Sequence, residues 1–448
     1  MAREEFSIAT NDIVEGGFHS ENQQHDDCGN SRNNFPKRKV GMGCNVLCVG
    51  ILIAIVLAIV LLCIGFIVVY ENEGQVVAKV ELFDIDLPPE QTIWFDANLA
   101  ELRNAFRVVE ENKKRAKNVI LFIALDSAAQ TLHAETRPVW ESFPHLALLR
   151  PSVQEGARVS FNPTSMFSGI EPRWHTIGFD SAVAPWDNCD GVLNCTHCAT
   201  SILEWAQSAG RLTGVVTNGE LVQPFLAALY AHTPNASWQY TSPDVQECPD
   251  LRSQLLSGDT GKQLNVIAGM LNCPDEFCRE AFAAAWESER LNEGTSYKLA
   301  TDVKDLLDSA LDDRDYALGL YDQRMLAEPE AFHDLVVGAL KILKRPEGFV
   351  LVAVADPKVP IAASEIDCAV KVTLQELSAV LDDTLVVVVR SNAHEGDGSF
   401  ATVHATGPMS HLLHRVHNQT FLAHFISYAA RIGRFRDAGL TNFILQMV

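Results

Sequence analysis

Asn118-Val119-Ile120-Leu121-Phe122-Ile123-Ala124 is an unbroken apolar run of strand length, entered from the basic residues Lys113, Lys114, Arg115 and Lys117. A strand that faced water on one side would alternate polar and apolar side chains. A run apolar on both sides belongs to a sheet buried on both faces. Four more segments read the same way: Leu212-Thr213-Gly214-Val215-Val216-Thr217, Asn265-Val266-Ile267-Ala268, Phe349-Val350-Leu351-Val352-Ala353-Val354 and Leu385-Val386-Val387-Val388-Val389. Helical patterns lie between and around them, at 99–111 (Leu99, Leu102, Phe106, Val109), 201–209, 328–343 and 370–381, with 409–430 read as one long closing helix. Apolar strands alternating with helices predict an α/β fold with a large, mostly parallel central sheet covered on both faces.

A second apolar run differs in kind. Val46 to Tyr70 carries no charge and is interrupted only by Gly50 and Gly65. At about 1.5 Å per residue such a helix exceeds the ~30 Å hydrocarbon core of a bilayer. Too much chain precedes it, and it is too long, for a cleaved signal peptide. The expectation is one N-terminal transmembrane helix, acting as a signal anchor over 44–70. Arg32, Lys37, Arg38 and Lys39 precede it, and Glu71 and Glu73 follow it. Positive flanks stay on the cytoplasmic side, so residues 1–43 are expected to be a disordered cytoplasmic tail, 71–93 a stalk, and 94–448 an extracellular or luminal domain. Pro88-Pro89 punctuates the stalk.

The chain has 448 residues and a net charge of −22, from 57 acidic and 35 basic residues. So acidic a surface repels a phosphate backbone and argues against nucleic-acid binding. Cys28, Cys44, Cys48 and Cys63 fall in the tail and span, where Cys44 and Cys48 sit at positions open to S-palmitoylation or to plain apolar packing. Cys189, Cys195, Cys198, Cys248, Cys273, Cys278 and Cys368 fall on the outer side, where disulfides form. Cys195 with Cys198 and Cys273 with Cys278 are natural short loops, and Cys368, with no near neighbour, is the candidate leftover thiol. The outer side also holds three glycosylation sequons, at Asn194, Asn235 and Asn418.

Several words recur in order between Trp94 and Ile432. They are Lys117-Asn118-Val119-Ile120-Leu121-Phe122, His175-Thr176-Ile177-Gly178, Gly214-Val215-Val216-Thr217, Leu229-Tyr230-Ala231-His232-Thr233 with Trp238, Gly348-Phe349-Val350-Leu351, and Gly407-Pro408 followed by His411-Leu412-Leu413-His414, Gln419-Thr420-Phe421 and Ala423-His424. Together they resemble the alkaline phosphatases. The resemblance implies an α/β/α sandwich, and a chemistry of phosphate monoester hydrolysis on two zinc ions and a magnesium held by Asp, His and Glu, with a Ser nucleophile and an Arg clamp. It also pairs Cys189 with Cys248.

The reactive words of the family do not follow. Its Asp-Ser nucleophile pair falls on Arg158-Val159. The first metal Asp is displaced to Asp126, within Ala124-Leu125-Asp126-Ser127-Ala128. Metal-neighbouring positions read Gln223 and Phe225, and the phosphate-binding Arg falls on Ala236. The Glu ligand falls on Val354, and the next Asp and His fall in Val359-Pro360-Ile361-Ala362-Ala363. The later Asp-His pair falls on Ser391-Asn392. The stretch from His394 to Gly407 is too short for the family's crown and for its last zinc His, which would fall near Gly396. Dimer contacts normally made by the crown are therefore in question, and a homodimer stays open.

The leading expectation is a membrane-anchored alkaline-phosphatase-like protein that does not hydrolyse phosphate, needs no cofactor, and works through an unknown protein or ligand partner. The rival is an active phosphomonoesterase that uses zinc and magnesium on relocated ligands, Asp126, Asp356 and His394, with Ser127 beside Asp126 as a further catalytic candidate. His175, His232, His411, His414, His417 and His424 are read as structural, the later ones as the surface of the 409–430 helix.

Overall fold

The computed structural model describes residues 114–126, 137–153, 159–185, 196–242, 248–273, 277–308, 313–328, 330–356, 359, 363–392 and 399–436. The chain divides into two units, Met1–Pro88 and Pro89–Val448, and every described residue lies in the second. The expected tail, membrane span, stalk and 99–111 helix lie outside the described residues. Among the described residues no helix is long and apolar enough to cross a membrane.

Ten strands form one sheet: β1 (Asn118–Asp126), β2 (His145–Arg150), β5 (Leu212–Glu220), β6 (Val266–Met270), β7 (Tyr297–Ala300), β8 (Tyr316–Tyr321), β9 (Phe349–Ala355), β10 (Thr384–Asn392), β11 (Ala401–Thr406) and β12 (Arg415–Asn418). Their spatial order is β12-β2-β11-β10-β1-β9-β5-β6-β8-β7. Only β11 runs against its neighbours. Two short strands, β3 (Ser152–Val153) and β4 (Val159–Ser160), form a separate ribbon.

The apolar runs have the cause the sequence suggested. Val119, Leu121 and Ile123 of β1 enter one core, together with Val350, Val352 and Val354 of β9 and Leu385, Val387 and Val389 of β10. Ile120 and Phe122 enter the opposite core with Leu351, Ala353, Val386 and Val388. The first core is closed by the helices Pro163–Ser168, Ile202–Ser208, Leu251–Ser257, Cys278–Glu293 and Phe421–Ala430. The second is closed by Ala331–Leu343 and Ala363–Glu376. The expected α/β/α sandwich with its large, mostly parallel central sheet is therefore observed. Each fully buried valine or leucine contributes about 1.5–3 kcal/mol, so a charge at Val387 would undo the centre of the sheet.

Some elements differ from expectation. The long 409–430 helix is broken. Ser410–Leu412 is a single 3-10 turn, Arg415–Asn418 is the edge strand β12, and only Phe421–Ala430 is α-helical. Met409 and Arg415 adopt positive φ of 61° and 68°, a left-handed conformation that no helix interior tolerates. The expected 370–381 helix is displaced, since it runs Ala363–Glu376 and gives way to a 3-10 segment at Ser378–Asp383.

Candidate functional site

In a parallel sheet, chemistry gathers where the strands end at their carboxyl edge. Here that edge brings together Asp126 closing β1, Asn392 beside it in register on β10, Asp356 just past β9, and Asn218-Gly219-Glu220 closing β5. Asp126 and Asp356 thus share the edge at the ends of adjacent strands. Ser127 and His394 lie outside the described residues.

Asp356 is 2% exposed and is fixed by its neighbour. The Asn218 side-chain oxygen accepts from the Asp356 backbone N–H at 2.7 Å, and its amide nitrogen donates to the carbonyls of Asp356 and Val359 at 3.3 and 3.0 Å. The Asp356 side chain lies so close to β5 that a Cβ on Gly219 would meet its Cβ at 2.4 Å. Glycine is required there by close approach, and the Asp356 carboxylate occupies space against the β5 backbone.

Glu220 anchors a second polar knot. It accepts the Tyr240 hydroxyl and the Asn272 backbone N–H, each at 2.8 Å. Burial, reinforced by the Glu220 charge, pushes the Tyr240 phenol well above its ordinary value. Tyr230 is shifted the same way by burial, then by Glu220 and Asp250, and its hydroxyl donates to the Leu221 carbonyl at 3.0 Å. Asn218, Gly219 and Glu220 were not singled out in the sequence. The apolar pattern ends at Thr217, and the polar residues Asn218 and Glu220 beyond it carry the signal.

The remaining histidines are placed as follows. His232 Nε2 donates to the Ala199 carbonyl at 3.2 Å. His424 Nε2 donates to the Gly169 carbonyl at 3.0 Å. His411, His414 and His417 do not share a helix surface. His411 is in the 3-10 turn, His417 is on β12, and the His417 ring stacks on Phe421 at 3.8 Å. His175 stands at a positive φ of 65° against the Trp174 ring.

The cysteines and sequons divide. Cys273 and Cys278 are joined, with Cα atoms 5.6 Å apart. Cys198 and Cys248 are disulfide-bonded. Their expected partners, Cys195 and Cys189, lie outside the described residues. Cys368 is free and exposed. Asn418 is exposed on β12. Asn235 is 1% exposed; its side-chain oxygen accepts from the Ser237 N–H and hydroxyl, and its Nδ2 is enclosed. The Asn235 nitrogen that a glycan would modify is enclosed in the folded chain. Asn194 lies outside the described residues.

The alkaline phosphatase family profile matches residues 123–356. This chain belongs to the alkaline phosphatase family. Membrane-bound alkaline phosphatase of Bombyx mori is 27% identical over 337 residues, covering 62% of this chain and 60% of that protein. Alkaline phosphatase 4 of Drosophila melanogaster is 26% identical over 326 residues, covering 59% and 53%. The chain thus spans less than two thirds of those relatives. Alkaline phosphatase from the Antarctic bacterium TAB5 superposes with a TM-score of 0.52 at 16% identity, covering 72% of this chain and 99% of that one.

Zinc and magnesium, which the family implies, do not fit the described side chains at the positions that the sequence resemblance assigns to ligands. Val354 is 0% exposed in one core and Val359 is 0% exposed in the other, and an alkyl group offers no lone pair. Phe225, where a hydroxyl is expected, packs edge-on against Phe167 at 5.4 Å between centroids. Gln223 and Ser391 are buried amide and hydroxyl groups, weak partners for zinc. Among the described residues no three His, Cys, Asp or Glu side chains are grouped to hold a metal ion.

Proposed function

We propose that this chain is a membrane-anchored alkaline-phosphatase-family protein that does not hydrolyse phosphate monoesters and acts instead by binding a protein or ligand partner outside the cell or in a luminal compartment. The observation that carries this reading is that Val354, where the resemblance puts a Glu ligand, and Val359, in the stretch where it puts an Asp and a His, are packed into the apolar cores with no exposed surface. Phosphate monoester hydrolysis is among the slowest uncatalysed reactions. It relies on close metal ions and a positioned nucleophile, and position 159 supplies valine in place of serine. A fold retained without its reacting side chains is a scaffold for recognition.

Anchoring rests on the uncharged 46–70 run and its basic flank. The bonded cysteines Cys198, Cys248, Cys273 and Cys278 agree with an oxidising compartment.

The alternative, hydrolysis on relocated ligands, draws on the placement of Asp126 and Asp356 at neighbouring strand ends. One experiment separates the two. The full chain is assayed on an aryl phosphate at alkaline pH with zinc and magnesium supplied, alongside Asp126→Ala and Asp356→Ala. Turnover that either substitution abolishes would establish the alternative.

A further inference from the structure

Away from the Asn218–Asp356 edge, a cleft of about 510 Å³ opens on the face covered by the helices Ile202–Ser208 and Leu251–Ser257. Glu204, Gln207, Tyr230, His232, Gln254 and Asp259 line it, and no Lys or Arg does. Gln207 ties this wall to the start of β5 by donating to the Thr213 hydroxyl at 3.0 Å, whereas the candidate site lies at the other end of that strand.

His232 gives the cleft its chemistry. Its backbone is clamped by Gln254, which accepts from the His232 N–H and donates to its carbonyl, both at 2.8 Å. Its Nε2 faces the Ala199 carbonyl, which can only accept. Nε2 therefore carries the proton, and Nδ1 is left with a lone pair. The Cδ2 edge of the ring lies against Gly178, where a Cβ would approach to 2.8 Å, so the Nδ1 edge is turned the other way. Among the described residues no group bonds to that nitrogen. Burial lowers the imidazole's proton affinity and keeps the ring neutral.

The other polar groups have the same sign. Glu204 holds its proton more firmly than an ordinary carboxyl, because of burial and then the nearby Asp259 charge. Asp259 stands at the rim with Lys262 at 3.0 Å. Lys262 shares the Asp259 charge at the exposed rim, so Glu204 and the imidazole acceptor set the sign inside the cleft and disfavour a phosphate or carboxylate ligand. They favour one that brings N–H donors and positive charge.

We propose that this cleft binds a small organic cation, a protonated alkylamine, with Glu204 and Asp259 taking the ammonium charge and His232 Nδ1 accepting an N–H. This site is independent of the carboxyl edge of the sheet and of whether that edge hydrolyses anything.

The test is calorimetric titration of the full-length chain with 1,4-diaminobutane, with 1,4-butanediol and inorganic phosphate as neutral and anionic probes. One saturable diamine site per chain is expected, with no saturable binding of the diol or phosphate. Glu204→Gln should weaken the diamine about tenfold or more, and Asp259→Asn, at the exposed rim, about threefold, since each removes charge facing the ligand. Diol binding as tight as diamine binding, absence of saturable diamine binding, or unchanged affinity in Glu204→Gln at an unchanged melting temperature would overturn the proposal. If Glu204→Gln unfolds the chain, Asp259→Asn decides in the same way, because its side chain is 95% exposed.

Discussion

Asn218 and Asp356 are 138 residues apart in sequence, yet Asn218 closes a two-way hydrogen-bonded clasp on the Asp356 backbone. The clasp joins β5 to the segment leaving β9, and it includes the Val359 carbonyl. Asn218 is fully buried, so no water can replace it. Asn218→Ala should therefore cost about 2–4 kcal/mol, because it strands a buried N–H and two carbonyls. Urea denaturation of wild type and variant measures this. A loss below about 0.5 kcal/mol, the range of surface changes, would show that the clasp is incidental.

Gly219 should be as sensitive. Gly219→Ala places a methyl 2.4 Å from the Asp356 Cβ and should cost about 1–3 kcal/mol through overpacking. In an Asp356→Gly background the same substitution should cost markedly less. Additive losses in the double variant would mean that the two residues do not meet as described.

The readable and unreadable parts of this chain differ for a physical reason. Strands β1, β9 and β10 lie in the middle of the sheet, so both faces are buried and their sequences are apolar without interruption. Strand β11 alternates buried Ala401, Val403 and Ala405 with half-exposed Thr402, His404 and Thr406, a pattern of small residues that carries little signal. The Cys278–Glu293 helix buries only Cys278, Phe282, Trp286 and Arg290, one residue per turn, and one of the four is an arginine. The histidines at 411, 414 and 417 imitate helical spacing, but the left-handed residues Met409 and Arg415 turn the chain into an edge strand instead. Val354 and Val359 stand at fixed offsets from Gly348, and the structure buries both without exposed surface. The Asn218–Gly219–Asp356 clasp was not legible in the sequence, because it depends on a close approach between distant strands.

Acid should weaken the fold through its imidazoles. Burial, followed by the neighbouring His411 and His414, pulls His145 down to about 4 from an ordinary 6.5. His411, His404 and His232 are lowered too, each chiefly by burial. Between pH 6.5 and about 4 the unfolded chain binds a proton at His145 that the folded chain refuses, so stability falls as pH is lowered through that window. The melting temperature should drop across it, and His145→Asn should flatten the drop. An identical profile in the variant would contradict the assignment.

Glycosylation should discriminate between sequons by exposure. Asn418, exposed on the edge strand β12, is expected to carry glycan, and Asn418→Gln should remove one glycosidase-sensitive mass increment. Asn235→Gln should leave the glycan mass unchanged while lowering the melting temperature, since the Asn235 side chain accepts from Ser237 inside the fold. Loss of a mass increment in Asn235→Gln would show that the segment is open when the glycan is attached.

The central claim is that valines at 159, 354 and 359 have removed phosphate chemistry from this member of the family. It is tested most directly by measuring aryl phosphate turnover and bound zinc on the same purified full-length sample, with zinc and magnesium in excess. The account predicts no turnover above that of a sample unfolded by heat and no stoichiometric zinc retained after dialysis. Saturable turnover with about two zinc ions per chain, as a two-metal mechanism requires, would contradict it.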